Sequence, residues 1–209
     1  MLRQGRTTGA QQRALQDLFP KYGLEFSEKA VSAADVFQRK APLVLEIGSG
    51  MGETTAAIAV AHPEADFIAV EVHGPGVGSL LNRIEAQGLR NLRVIRHDAV
   101  AVLQHMIPDG ALAAAHIYFP DPWPKKRHHK RRLLQAAFLA LLERKMAPGG
   151  IVHAATDWPD YAEQIALLFS QSNSFSETNT GFVLRPTTKF EARGLRLGHP
   201  IRDLYFRRR

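Results

Sequence analysis

The sequence contains no cysteine, which removes disulfides, thiolate metal sites and a cysteine nucleophile from consideration. Nothing in it approaches the ~20 apolar residues that a membrane-spanning helix needs, so no membrane partner is expected. The first sixteen residues, MLRQGRTTGAQQRALQ, are basic and polar without an apolar core, unlike a secretory signal. Internal repeats, low-complexity tracts and a dividing linker are all missing as well. What is left reads as a cytoplasmic globular protein. Its 209 residues, 45% of them hydrophobic, are enough for a core without covalent staples.

Charge is present in excess and unevenly placed. The net charge is +7, yet residues 121–132 carry +5 and residues 185–209 carry +6, so the remainder is −4. Clustering of this kind suits a polyanion-binding surface better than solubility alone.

Met1 to about Arg13 reads as a mobile basic arm, and Ser27–Arg39 as a short helix, giving an N-terminal extension over residues 1–40. A catalytic domain is expected over 41–209. From Pro42 the pattern is regular. Short apolar runs at 43–47, 66–72, 92–96, 114–119 and 151–155 alternate with helical stretches at 54–61, 78–87, 99–106, 131–145 and 161–171. Phe182–Arg185 and Leu204–Arg207 read as closing strands. This alternation predicts an α/β fold with a mostly parallel, seven-stranded sheet and helices on both faces. Ligands of such sheets lie beyond the carboxyl ends of the strands.

Glu46-Ile47-Gly48-Ser49-Gly50-Met51-Gly52 links the first strand to the first helix, and its glycines allow a ligand to approach the backbone. A dinucleotide site would want a third glycine at position 53, which is Glu53. Carboxylates recur at successive strand ends, at Glu46, Glu71 and Asp98. They suit the sulfonium, ammonium, ribose hydroxyls and adenine amine of S-adenosylmethionine, whereas they would repel phosphate. Glu71 is expected on the ribose, Asp98 at the adenine edge and Glu46 near the methionine end, with Gly48 and Gly50 beside the cofactor.

The fourth strand runs into Phe119-Pro120-Asp121-Pro122-Trp123-Pro124 and then KKRHHKRR. Three prolines stiffen the loop around Asp121, Trp123 offers a stacking face, and the cations can grip phosphates. His128 and His129, adjacent among six cations, make a poor metal-ligand pair, and no metal is expected.

Residues 119–132 resemble the signature loop of the tRNA (guanine-N7)-methyltransferase (TrmB) family. Ala155-Thr156-Asp157-Trp158, Arg185–Gly194 and Asp203-Leu204-Tyr205-Phe206 agree, so the resemblance spans about residues 40–209. It implies a Rossmann-like class I S-adenosylmethionine-dependent fold and methyl transfer to N7 of guanine 46 in the tRNA variable loop. By the same resemblance Glu46, Glu71, Asp98 and Asp121 hold the cofactor, and Asp121 is the catalytic residue. Lys125, Asp157, Thr188, Lys189, Phe190 and Glu191 would bind substrate. Lys126, Arg127, Lys130, Arg131 and Arg132 are expected to contact RNA. The glycine-rich Gly74–Gly78 stretch departs from the family pattern. No obligatory protein partner is implied, and monomer and homodimer stay equally open. The alternatives are an exocyclic-amine methyltransferase, a non-catalytic RNA-binding protein on the same scaffold and a nicotinamide dehydrogenase.

Overall fold

Every residue of β1 (Leu43–Ile47) and β2 (Asp66–Val70) is buried in the computed structural model. A parallel strand covered on both faces reads as one unbroken apolar run, with no alternation. The structure describes residues 7–183, 186 and 200–209. Among these, 7–108 with 183 and 186 form one unit, and 109–182 with 200–209 form another. Seven strands make a sheet in the order β3-β2-β1-β4-β5-β7-β6.

In the first unit β1 pairs in parallel with β2, which pairs in parallel with β3 (Leu92–Ile95). Ile47 lies opposite Val70, and Val70 opposite Ile95. The three strands therefore end level, and the turns that follow them share one edge. Helices α4 (Glu53–Ala61), α5 (Gly74–Gln87) and α6 (Ala99–His105) follow the three strands in turn.

Where it is described, the arm expected to be mobile is built into secondary structure. Thr8 and Gln11 form a reciprocal capping box that starts α1 (Gly9–Asp17). Helix α1 lies against α5 so closely that a Cβ on Gly78 would stand 2.5 Å from the Gln11 carbonyl oxygen. The next helix, α2 (Phe19–Tyr22), is tied to α5 by hydrogen bonds from Tyr22 and Lys21 to Glu85. Leu24 then donates to the Val94 carbonyl of β3. The helix read over Ser27–Arg39 shrinks to α3 (Ala33–Phe37), ended by Gln38 in a left-handed conformation. Residues 7–40 thus belong to the first unit, held by the close approach of α1 to α5 and the hydrogen bonds of residues 21–24 to α5 and β3.

The glycine-rich departure at Gly74–Gly78 is the first turn of α5, which begins four residues before the sequence reading put it. Its glycines admit neighbours. A Cβ on Gly76 would meet the Gly50 carbonyl oxygen at 2.4 Å, closer than any side chain tolerates.

In the second unit β4 (Leu112–Tyr118) pairs in parallel with β5 (Met146–Thr156), and β7 (Arg202–Arg208) runs antiparallel to both β5 and β6 (Phe175–Thr178). Helices α7 (Ala136–Lys145) and α8 (Pro159–Ser170) complete it. Phe169 stacks on Phe206 with ring centres 3.8 Å apart and meets Phe175 edge-on. The helix read from Arg131 begins only at Ala136; a separate 3-10 helix covers Lys126–Arg131. Like charges three and four residues apart oppose a continuous α-helix through this run. Phe182 and Val183 belong to no strand, while Leu184 and Arg185 lie outside the described residues. The strand in that part of the fold is β6, whose FSET sequence has no apolar run to betray it.

Candidate active site

Glu46 sits one residue before the end of β1 and is only 3% exposed. One of its carboxylate oxygens, Oε1, accepts from the Thr55 hydroxyl at 2.9 Å. Its Oε2 is buried without a partner, as is the Ser49 hydroxyl three residues on. Burial pushes the Glu46 carboxyl up to about 7, with the Thr55 bond opposing the shift. An unpaired buried polar atom costs about 1–3 kcal/mol, so this pocket is built for a group that donates to it.

Gly48 and Gly50 have φ of 77° and 56°, where side chains are strained, and a Cβ added to either would point into open space. Glu71 holds this turn from the end of β2. Its Oε2 accepts from the Gly50 amide and its Oε1 from the His73 amide, each at 2.8 Å. Each oxygen keeps a second lone pair for a hydroxyl donor. Asp98 caps α6 by accepting from the Ala101 amide at 3.0 Å; it is exposed, with its other oxygen uncommitted to the cap. His97 beside it stacks flat on Phe26, ring centres 3.8 Å apart. The structure therefore brings Glu46, Gly48, Gly50, Glu71 and Asp98 to one edge of β1–β3, and a cationic ligand with vicinal hydroxyls fits them. Thr55 and Ser49 are parts of this pocket that the sequence reading missed; the Thr54-Thr55 pair opening an otherwise apolar 54–61 run was the available signal.

In the second unit the chain leaves β4 through Phe119 at φ 49° and enters the basic run through Trp123 at φ 45°. Two non-glycine residues in the left-handed region, at roughly 1–3 kcal/mol each, flank Asp121, which is exposed. Contacts on both sides hold this shape. Before Asp121, the Phe119 amide donates to the Ala155 carbonyl at 2.7 Å. After it, Arg132 Nε donates to the Pro122 carbonyl at 2.8 Å.

Arg132 corrects one expectation. It is 3% exposed and faces the protein, where its other nitrogens meet Gln164 (2.6 Å), Asp160 (2.5 Å) and His129 (3.0 Å). The guanidinium also lies 4.7 Å from the ring centre of Tyr161, a residue with no exposed surface whose hydroxyl is raised by burial. The Arg132 hydrogen bond holds the Asp160 carboxyl below its ordinary range. With its planar fork filled by protein, Arg132 is a clasp between loop and α8 and not an RNA contact. Lys125, Lys126, Arg127, Lys130 and Arg131 are exposed, as a phosphate-binding set must be. Arg131 lies 5.0 Å over Trp123, and His128 meets that ring edge-on, so the indole face is partly claimed.

Asp157 follows β5, half-buried, one residue before Trp158 caps α8. Thr188, Lys189, Phe190 and Glu191 lie outside the described residues. The C-terminal arginines divide by position. Arg202 pairs with Thr156 at the carboxyl end of β5, whereas Arg207 pairs with Ile151 at its middle. Arg207, Arg208 and Arg209 donate to carbonyls of Gly149, Glu143, Ser174 and Asn173. That part of the basic cluster fastens the far end of the sheet.

Among the described residues no helix is long and apolar enough to cross a membrane, and no group of three or more His, Cys, Asp or Glu is placed to hold a metal.

Comparison with known proteins agrees with this geometry. The Methyltransf_4 family, described as "Putative methyltransferase", matches residues 40–204. A tRNA (guanine-N(7)-)-methyltransferase of Nitrosospira multiformis is 55% identical over all of this chain and 93% of its own. Among solved structures, the 16S rRNA methyltransferase KamB aligns over 85% of this chain and 94% of its own, with a TM-score of 0.61 at 16% identity. A SAM-dependent methyltransferase of Aquifex aeolicus aligns over 84% and 87%, with a TM-score of 0.56 at 14% identity. The last two show a shared class I methyltransferase fold. With a relative more than half identical along its whole length, this chain belongs to the tRNA (guanine-N7-)-methyltransferase family.

Proposed function

We propose that the protein transfers a methyl group from S-adenosylmethionine to N7 of guanine in tRNA, at guanine 46 of the variable loop. S-adenosylmethionine supplies an activated methyl on a cationic sulfonium. Guanine N7 already presents an in-plane lone pair, so no general base is required, and positioning supplies most of the acceleration. The observation that carries the reading is Asp121, presented to solvent between two strained residues at the head of five exposed cations.

In the first unit Glu46 would accept from the cofactor's ammonium, Glu71 from the ribose hydroxyls and Asp98 from the adenine amine, with Gly48 and Gly50 leaving the approach open. In the second unit Asp121 and Asp157 would accept from guanine N1–H and its amine, and would stabilise the positive charge that the purine gains. Lys125, Lys126, Arg127, Lys130 and Arg131 would anchor phosphates. Thr188, Lys189, Phe190 and Glu191 complete the proposed substrate contacts. Because N7 faces the major groove, full extrusion of the base is not required.

The test is methylation of unmodified tRNA transcript, followed by nuclease digestion and mass mapping of the methylated fragment. The expected result is one methyl group on guanine 46, absent with Asp121→Ala. A methyl at another nucleotide would overturn the assigned position, and full activity in Asp121→Ala would overturn the assigned residue.

A further inference from the structure

The second unit contains a hydrogen-bonded chain that none of the roles above uses. His153, in the middle of β5, has no exposed surface. Its Nε2 lies 2.7 Å from Asp203 Oδ1 on β7, and its Nδ1 lies 3.1 Å from the Tyr118 hydroxyl at the end of β4. An ionised carboxylate only accepts, so Nε2 carries the hydrogen, and in the neutral imidazole the Nδ1 lone pair accepts from the tyrosine O–H. Three adjacent strands are linked through their side chains in the order Asp203, His153, Tyr118.

The chain is packed and not merely hydrogen-bonded. The His153 ring lies 4.2 Å from Tyr205 and meets Tyr118 edge-on at 4.9 Å, with His116 edge-on at 6.0 Å. Burying His153 and Tyr118 in the sheet, with Asp203 partly exposed, adds little stability over well-packed apolar residues. What it adds is a defined orientation. The end that it orients is the point where β4 departs: Tyr118 is the last residue of the strand, Phe119 turns out at φ 49°, and Asp121 follows two residues later. A second tie lies alongside. Ala155, which accepts from the Phe119 amide, is paired in register with Asp203. Both ties on the upstream side of the loop thus lead back to the same position on β7.

We propose that Tyr118, His153 and Asp203 are positioning residues that aim the Asp121 loop at its acceptor. They touch neither methyl donor nor guanine; they fix the direction in which the chain leaves β4. Asp121 itself is exposed and flanked by unfavourable backbone, so its placement depends on the ties at either end. Arg132 supplies the downstream tie and this chain supplies the upstream one.

The inference rests on the proposed methyl transfer to tRNA and is tested on the full-length enzyme with tRNA transcript. Tyr118→Phe removes a single oxygen. It is expected to lower kcat about 10- to 100-fold, as misplacement of a reacting group does. The KM for S-adenosylmethionine should stay within about twofold, since no cofactor contact is altered. Asp203→Ala should fall as far, whereas Asp203→Asn, whose amide oxygen still accepts from Nε2–H, should recover to within about threefold of wild type. Because both substitutions break one chain, the Tyr118→Phe/Asp203→Ala pair should lose no more than the worse single variant. Melting temperatures separate misplacement from unfolding.

A kcat for Tyr118→Phe within twofold of wild type would overturn the proposal. So would losses that multiply in the double variant, or an Asp203→Asn enzyme no better than Asp203→Ala. An inactive wild-type enzyme on every tRNA offered would remove the proposed function itself, and this inference with it.

Discussion

Arg132 offers the sharpest separation between a residue that holds the loop and one that binds RNA. Its guanidinium donates to the Pro122 carbonyl, Gln164, Asp160 and His129, and packs on the Tyr161 ring. Truncation to alanine leaves the Pro122 carbonyl and the Gln164 amide without this donor. An abandoned buried acceptor costs about 1–3 kcal/mol, and loss of the cation–π contact adds about 0.5–2 kcal/mol. The ion pair adds little, since the Asp160 side chain is 60% exposed and can return to water. Both acceptors are only part-buried and together count as about one abandoned buried acceptor, so the loss for Arg132→Ala is roughly 1.5–5 kcal/mol, read as a shift in urea midpoint at unchanged slope. Arg132→Lys keeps charge and part of the stem but cannot reach three partners with one ammonium, so about half that loss is expected. Exposed Arg127→Ala should leave the urea midpoint unchanged and reduce the salt dependence of tRNA binding instead. An Arg132→Ala protein of wild-type stability that binds tRNA with a shallower salt slope would refute the clasp and return Arg132 to the RNA-binding set.

Four further outcomes are expected. Charge reversal at Lys125 and Arg127 should weaken tRNA binding while leaving binding of S-adenosylhomocysteine unchanged in calorimetry, and each lost phosphate contact should lower the salt slope by about 0.7–0.9; equal loss of both affinities would make the basic loop structural. Glu46, raised to about 7 from 4.5, holds a proton in the folded state that the unfolded chain releases. Its contribution to stability is full below pH 4.5 and is lost as pH rises towards 7, by roughly 3 kcal/mol. Glu46→Gln should therefore flatten the stability profile over that window. Binding of a cationic cofactor should drive the same proton off, so calorimetry at pH 7 in buffers of different ionisation enthalpy should register release of about half a proton, and none with Glu46→Gln. Gly76→Ala would place a Cβ 2.4 Å from the Gly50 carbonyl oxygen, forcing the glycine turn outward; at least tenfold weaker cofactor binding is the expected result, with a stability loss of about 1–3 kcal/mol from the backbone clash, and unchanged binding would show that the turn yields freely.

The strand ends were legible because strands buried on both faces read as unbroken apolar runs that stop sharply at polar or glycine residues. Placing Glu46, Glu71 and Asp98 at the ends of β1, β2 and β3 needed only that pattern, and the level ends of those strands bring them to one edge. Composition was a poorer guide. Counting Arg132 with its five exposed neighbours ignored that one face of a short 3-10 helix must pack. Arg207–Arg209 were counted with an RNA surface, although antiparallel pairing carries them to the other end of the sheet. The N-terminal segment looked mobile for lack of apolar residues, yet α1 needs only a small contact, made possible by the absence of a side chain at Gly78. Pairings such as Tyr118 with His153 join residues 35 positions apart, and nothing local announces them.

The measurement that bears most directly on the account is methyl transfer from labelled S-adenosylmethionine to unmodified tRNA, with the product nucleoside identified by mass spectrometry. The account predicts 7-methylguanosine as the sole product. A methylated exocyclic amine would contradict it, keeping the fold but replacing the chemistry assigned to the Asp121 loop.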